Sequence, residues 1–131
     1  LYHQLTEYYE GRAGQVKING YTTNMQDYFN THDIVITRCG PNTMLEAVNC
    51  LIPIVSMGAL PGQEQNNPVY MHNNNLGLKT ESTEDIFAKV EELLKNGRQK
   101  LLDIRKSQFQ YEGRNAAARI TEFLMDKIKS A

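Results

Sequence analysis

A buried strand that runs into a helix through a Gly-Pro turn is the feature that most constrains this fold. Residues 34–46 read Ile-Val-Ile-Thr-Arg-Cys-Gly-Pro-Asn-Thr-Met-Leu-Glu. The β-branched run is typical of a strand in a parallel sheet, and proline suits the first position of a helix. Unpaired N–H groups and the helix dipole meet at such a turn and favour an anion there. Because Glu46 adds an acceptor for sugar hydroxyls, the segment has the groups that a nucleotide-sugar needs.

Strand and helix patterns alternate along the rest of the chain. They predict helices at Leu1–Glu10, Asn24–His32, Asn42–Asn49 and Glu64–Asn75, strands at Gln15–Gly20, Asp33–Thr37, Ile52–Ser56 and Leu76–Thr80, and a break at Gly11–Gly14. Ser82 and Asp85 then open a helix with Ile86, Val90, Leu93 and Leu94 on its buried stripe, and the last of two further helices turns Ala117, Ile120, Leu124 and Ile128 inward. Short connections between strands and helices predict a Rossmann-like α/β domain, a parallel sheet with helices on both faces.

Length and composition limit the protein class. The 131 residues suit a single globular domain, and no apolar run reaches the ~18–20 residues that span a bilayer. Two cysteines are too few for a disulfide scaffold, so a reduced cytosolic protein is the expectation. From residue 98 onwards basic residues outnumber acidic ones two to one, which suits either a solvated helix face or peripheral contact with anionic lipid.

Ligands bind at the carboxyl ends of the strands in sheets of this kind. The residues that follow the predicted strands, 21–23, 38–43 and 57–65, are therefore the candidate site, and they are rich in Gly, Pro and polar side chains. We expect neither a cofactor nor a nucleic-acid partner, and no Asp-x-Asp metal motif is present.

Two motifs carry a family resemblance. Residues 33–47 resemble the donor-binding strand–loop–helix of GT-B glycosyltransferases, and Pro61-Gly-Gln-Glu-Gln-Asn-Asn67 resembles a segment of the diacylglycerol glycosyltransferases. Within that fold the chain is similar to galactolipid synthases, processive diacylglycerol glucosyltransferases and the N-acetylglucosaminyltransferase that makes lipid II. The resemblance covers about Gln15 to Thr80, and the later helices fit in pattern only.

The resemblance implies a UDP-sugar donor, with UDP-glucose, UDP-galactose and UDP-N-acetylglucosamine as candidates, and a lipid acceptor, with diacylglycerol preferred. It assigns the uracil to Tyr21 and Thr22, the diphosphate to Arg38, Gly40, Pro41, Asn42 and Thr43, the ribose to Glu46, and the transferred hexose to Gln63, Glu64 and Gln65. Asn42 departs from the small residue that relatives often carry there. The same resemblance places the general base in an N-terminal acceptor domain. It predicts that residues 1–131 are the donor half of a larger enzyme, without its first strand and inactive alone.

Other interpretations stay open at this stage. A donor-binding subunit of a split N-acetylglucosaminyltransferase and a UDP-sugar epimerase would share the fold. A flavodoxin-like module would lack both motifs, and a dinucleotide oxidoreductase would need Gly-x-Gly-x-x-Gly, which is absent.

Single residues have plainer interpretations as well. Glu46 could complement the helix dipole, Arg38 could form a surface ion pair, and residues 63–67 could cap a helix. Cys39 is expected to be a small buried residue and His72 a solvated one, while Met25, Tyr28 and Phe29 are expected in the core.

Overall fold

The computed structural model describes residues 1–10 and 14–130, which form short strands alternating with helices. In chain order these are α1 (Tyr2–Tyr8), α2 (Met25–Thr31), β1 (Val35–Thr37), α3 (Pro41–Asn49), β2 (Ile54–Ser56), α4 (Asn67–Asn73), β3 (Gly77–Leu78), α5 (Asp85–Leu94), α6 (Gln99–Gln110) and α7 (Ala116–Lys129). Two 3₁₀ turns, Asn96–Arg98 and Glu112–Asn115, precede α6 and α7. Most predicted elements are thus present, with shorter strands than expected.

The strands form one parallel sheet in the order β1-β2-β3. Val35 lies opposite Ile54, and Ile54 lies opposite Gly77. All three residues of β2 are buried, as expected for the central strand of a sheet covered on both sides. This confirms the predicted parallel α/β architecture.

Successive residues of β2 separate two hydrophobic clusters. Ile54 joins a cluster with residues of α2, α3 and α4, including Phe29, Val48 and Met71. Val55 joins a second cluster, formed with residues of α5 and α6. Because adjacent side chains of a strand point to opposite faces, helices cover both faces of the sheet.

The opening of α5 follows the predicted capping pattern. The N–H of Asp85 donates to Oγ of Ser82 at 3.3 Å, and the Asp85 carboxylate accepts from the N–H of Glu81 at 3.2 Å. The first contact satisfies a donor that the helix N-terminus leaves unpaired, and the second holds the segment that precedes the N-cap Glu84. On the predicted stripe Ile86 and Leu93 are buried, whereas Leu94 is 46% exposed.

The strand predicted at Gln15–Gly20 is absent, because residues 16–20 have no regular secondary structure. Alternation alone does not form a strand, since the strand needs a neighbour to accept and donate its main-chain hydrogen bonds. Among the described residues β1 pairs only with β2. Residues 11–13 of the predicted Gly11–Gly14 break lie outside the described part of the chain.

Two further predictions of burial are wrong. The face of α7 predicted to point inward is exposed, with Ile120 at 60%, Leu124 at 53% and Ile128 at 70%. The periodicity of an amphipathic helix shows which residues share a face but not what covers that face, and α7 packs mainly against the preceding 3₁₀ turn. In α2 only Phe29 is buried, while Met25 is 42% exposed.

Within the described residues, none of the helices has the length and apolar character that crossing a bilayer requires.

Candidate functional site

The connection from β1 to α3 leaves two main-chain donors free. Gly40 is the N-cap in an extended conformation, and its own N–H donates to the carbonyl oxygen of Arg38 at 2.8 Å. Pro41 has no N–H, and the first helical hydrogen bond runs from Met44 back to Gly40 at 3.0 Å. In the described part of the chain the N–H groups of Asn42 and Thr43 therefore have no acceptor. Free donors at the N-terminus of a nine-residue helix favour an anion.

A cleft of about 600 Å³ lies beside the second turn of α3. Glu46 of α3 lines it together with Tyr21 and Thr22, the residues expected to face a uracil. Thr22 is half-buried and its Oγ1 accepts from the N–H of Asn24 at 3.1 Å, which fixes the turn before α2. The tertiary structure thus brings the predicted base-binding and ribose-binding residues to one cleft.

The second motif meets the first at Gly40. Residues 61–66 form turns that lead into α4, and Gly62 has a φ of +94°, which favours glycine. A Cβ on residue 40 would lie 3.7 Å from Oε1 of Glu64, so this half-buried carboxylate lies directly beside the start of α3. Gln63 and Gln65 are exposed, and neither they nor Glu64 line the cleft that holds Glu46.

The candidate site therefore extends along α3. Glu46 follows Asn42 by four positions and Thr43 by three, which corresponds to about 6 Å and about 4.5 Å along the helix axis at 1.5 Å per residue. The free N–H groups of Asn42 and Thr43 therefore lie about one helical turn before Glu46, which lines the cleft. The arrangement suits an extended ligand with an anionic group at one end and hydroxyls towards the other.

Arg38 and Cys39 are adjacent in sequence but differ in environment. Arg38 is exposed, and its guanidinium has no ionic partner among residues 1–10 and 14–130. Cys39 is fully buried, and this burial raises the pKa of its thiol to about 11. A buried thiol with a raised pKa is a poor nucleophile, which agrees with the structural interpretation of Cys39. His72 is exposed, as predicted.

Sequence reasoning missed several polar residues of the cleft. Asn49 and Cys50 line it three and four positions after Glu46, and Asn24 and Gln26 line it from the start of α2. Helical spacing from Glu46 would have found the first two, since residues at i, i+3 and i+4 share a face. No three His, Cys, Asp or Glu side chains of the described residues lie together as a metal-binding group.

Comparison with known proteins identifies relatives of this chain. The family model described as "Glycosyltransferase family 28 C-terminal domain" matches residues 1–122. Monogalactosyldiacylglycerol synthase 3, chloroplastic, of Arabidopsis thaliana is 34% identical over 86 residues, which are 66% of this chain and 18% of the relative.

Two bacterial relatives match more of the chain. The processive diacylglycerol beta-glucosyltransferase of Bacillus cytotoxicus is 26% identical over 127 residues, 97% of this chain and 32% of the relative. The protein of the same name from Bacillus mycoides is 29% identical over 107 residues, 82% of this chain and 27% of the relative. The chain spans less than a third of the length of these relatives.

Proposed function

Because this chain belongs to the family of glycosyltransferase family 28 C-terminal domains, we propose that it is the donor-binding part of a hexosyltransferase. The proposed reaction moves a hexose from a UDP-sugar to a lipid, with diacylglycerol as the preferred acceptor. The names of the relatives, which contain the word diacylglycerol, support this choice of acceptor. The single observation that carries the donor site is the cleft shared by Tyr21, Thr22 and Glu46, about one helical turn after the free N–H groups of α3.

In this proposal each part of the donor meets a group suited to it. Main-chain groups at Tyr21 and Thr22 bind the uracil, and the Glu46 carboxylate accepts hydrogen bonds from the ribose hydroxyls. The N–H groups of Asn42 and Thr43 and the exposed guanidinium of Arg38 bind the diphosphate. Main-chain donors and a guanidinium together match an anion that carries several oxygens.

The hexose extends towards the second motif. Glu64 lies next to Gly40 and can accept hydrogen bonds from sugar hydroxyls, and the amides of Gln63 and Gln65 can both donate and accept. Discrimination between glucose, galactose and N-acetylglucosamine depends on the few contacts made here.

The proposed donors and the Arg38 guanidinium suit the charge that develops on the leaving group. Breaking the bond between sugar and UDP develops negative charge on the diphosphate and positive charge on the sugar ring. Preorganised donors stabilise this charge, and loss of one such donor typically costs on the order of 10²–10³ in rate. The α3 terminus, Arg38 and the Thr43 hydroxyl are the groups proposed for this role.

Transfer also needs a base that accepts the proton of the acceptor hydroxyl. We place that base in an acceptor domain of the full-length protein, since the relatives are more than three times as long as this chain. A lipid acceptor implies reaction at a membrane surface, where the basic residues beyond residue 98 would favour anionic lipid. We expect the chain alone to bind donor without transferring sugar.

Calorimetric titration of this chain with UDP, UDP-glucose, UDP-galactose and UDP-N-acetylglucosamine tests the donor site. We expect Glu46→Gln to weaken UDP binding by about 1–3 kcal/mol, because it replaces the charged acceptor of the ribose hydrogen bonds. Glu122→Gln, which changes another exposed carboxylate, on α7, is the matched control and should bind as the parent chain does. The order of affinities among the three sugars would identify the donor.

Equal UDP affinity of Glu46→Gln and Glu122→Gln would contradict the ribose assignment. Failure of the folded parent chain to bind UDP or any of the three sugars would contradict the proposed donor site.

A further inference from the structure

We propose that Asn67 is a positioning residue that holds the hexose-binding segment against the diphosphate-binding turn, an inference that rests on the function proposed above. Asn67 is the first residue of α4, and its Nδ2 donates to the carbonyl oxygen of Cys39 at 2.7 Å. Because the acceptor is a carbonyl oxygen, the amide nitrogen must face it. The bond joins residues that lie 28 positions apart, the last residue of the second motif and the residue directly before Gly40.

Three contacts hold Cys39 in place, and we call this set of contacts the junction. Its N–H donates to the carbonyl oxygen of Gly58 at 3.3 Å, its carbonyl accepts from Asn67, and its Sγ lies 3.7 Å from Sδ of Met71. Asn67 and Met71 are four residues apart on α4 and therefore share a face. One side of α4 thus holds both the main chain and the side chain of Cys39.

The side chain of Asn67 is not needed for its own helix. Asn66 is the N-cap of α4, and α4 shows no side-chain capping hydrogen bond. The Asn67 amide instead donates to another segment of the chain, at the carbonyl oxygen of Cys39 just after β1. Loss of the amide would leave that carbonyl without this donor and would free the turns at 61–66 from Gly40.

This junction determines the relative position of two parts of the donor site. Gly40 follows Cys39 and begins the anion-binding turn, while Glu64 precedes Asn67 by three residues and lies beside Gly40. If the junction opens, the diphosphate contacts on α3 remain, but the groups for the hexose shift away from them. Asn67 should therefore affect binding of a UDP-hexose more than binding of UDP.

The test compares Asn67→Asp with Asn66→Asp, the same change at the neighbouring exposed position. An aspartate at residue 67 has the shape of asparagine but, when ionised, offers no donor to the Cys39 carbonyl. Urea denaturation first establishes that both variants fold, and Asn67→Ala replaces Asn67→Asp if the aspartate variant does not.

The first readout needs no ligand. Alkylation of Cys39 by iodoacetamide is measured by mass spectrometry with the half-buried Cys50 as internal reference, and cleavage after Glu46 places the two thiols on different peptides. We expect the Cys39 rate to rise about tenfold in Asn67→Asp, the equivalent of about one ordinary hydrogen bond, and to stay at the parent value in Asn66→Asp.

The second readout is the ratio of the dissociation constants for UDP-hexose and UDP, with the hexose that the parent chain binds best. We expect this ratio to rise about tenfold in Asn67→Asp and to stay unchanged in Asn66→Asp. Unchanged Cys39 alkylation, or an equal loss of UDP and UDP-hexose affinity, would overturn the positioning role. If the parent chain binds no UDP, the proposed function fails, and the role of Asn67 in donor binding fails with it. The alkylation rates would still decide whether Asn67 holds Cys39 in place.

Discussion

Gln108 of α6 is a buried amide that connects the segments leading into two strands. Its side chain is fully buried, and its Nε2 donates to the carbonyl oxygens of Ile52 at 2.9 Å and of Leu76 at 2.8 Å. Ile52 lies just before β2, and Leu76 lies directly before β3. One side chain therefore supplies donors to two carbonyls on neighbouring segments.

We expect Gln108→Met to lower the free energy of unfolding by about 1–4 kcal/mol. Two carbonyls lose their donor, at about 1–3 kcal/mol each. Part of this cost, about 1–2 kcal/mol, is offset because the Gln108 Oε1 is itself buried without a partner in the described structure and is removed by the substitution. The net effect is a large fraction of the stability of an ordinary domain.

Urea denaturation at pH 7 measures this loss, with Gln110→Met as matched control because Gln110 is exposed on the same helix. The control should stay within about 0.5 kcal/mol of the parent chain. Gln108→Glu should be less stable than Gln108→Met, since a carboxylate offers only acceptors to the two carbonyls. Equal stability of Gln108→Met and Gln110→Met would refute the reasoning.

Two further predictions concern the sheet and the buried thiol. Gly77→Ala should destabilise the fold by about 2 kcal/mol or more, because a Cβ there would collide with the carbonyl oxygen of Ile54 and lie 2.8 Å from Sδ of Met71. Thermal denaturation measures this loss, with Gly20→Ala as control because a Cβ at residue 20 meets open space. Equal melting temperatures of the two variants would contradict the prediction. The pKa of the Cys39 thiol rises from its ordinary 9.0 to about 11 in the fold, so its contribution to stability is present below pH 9 and is lost as the pH rises towards 11. Urea unfolding at pH 8 and pH 10 should show a loss of about 1 kcal/mol that is missing in Cys39→Ala, and an equal loss in both proteins would argue against it.

The predicted elements that the structure confirms have strong local signals. The apolar run and the Gly-Pro turn after it predicted β1 and α3, and Ser82 with Asp85 predicted the start of α5. Burial was predicted less well. The apolar stripe of α7 resembles that of α5 in period, yet only α5 lies against the sheet. The strand predicted at Gln15–Gly20 failed for the same reason, since a ladder partner is not a local property.

For the candidate site, the motifs identified the turns but not their neighbours. The rule that ligands bind at strand ends predicted residues 21–23, 38–43 and 57–65 as one region. The position of Glu64 beside Gly40 agrees with it, although Glu64 does not line the cleft that holds Tyr21 and Glu46. The hydrogen bond from Asn67 to Cys39 had no signal in the sequence. Asparagine at the start of a helix is ordinarily interpreted as a cap, and nothing local indicates that its amide reaches another loop.

Sequence was sufficient for the parallel α/β class, for the strand–turn–helix around residue 40 and for the family, because backbone preferences and motif spacing act over a few residues. Folding alone brought Glu46 to the same cleft as Tyr21, placed Glu64 beside Gly40 and joined segments 28 residues apart through Asn67. These relations depend on how the three strands align and how helices pack on them. Packing of that kind is a property of the whole chain, since each contact exists only when the elements on both sides are already in place.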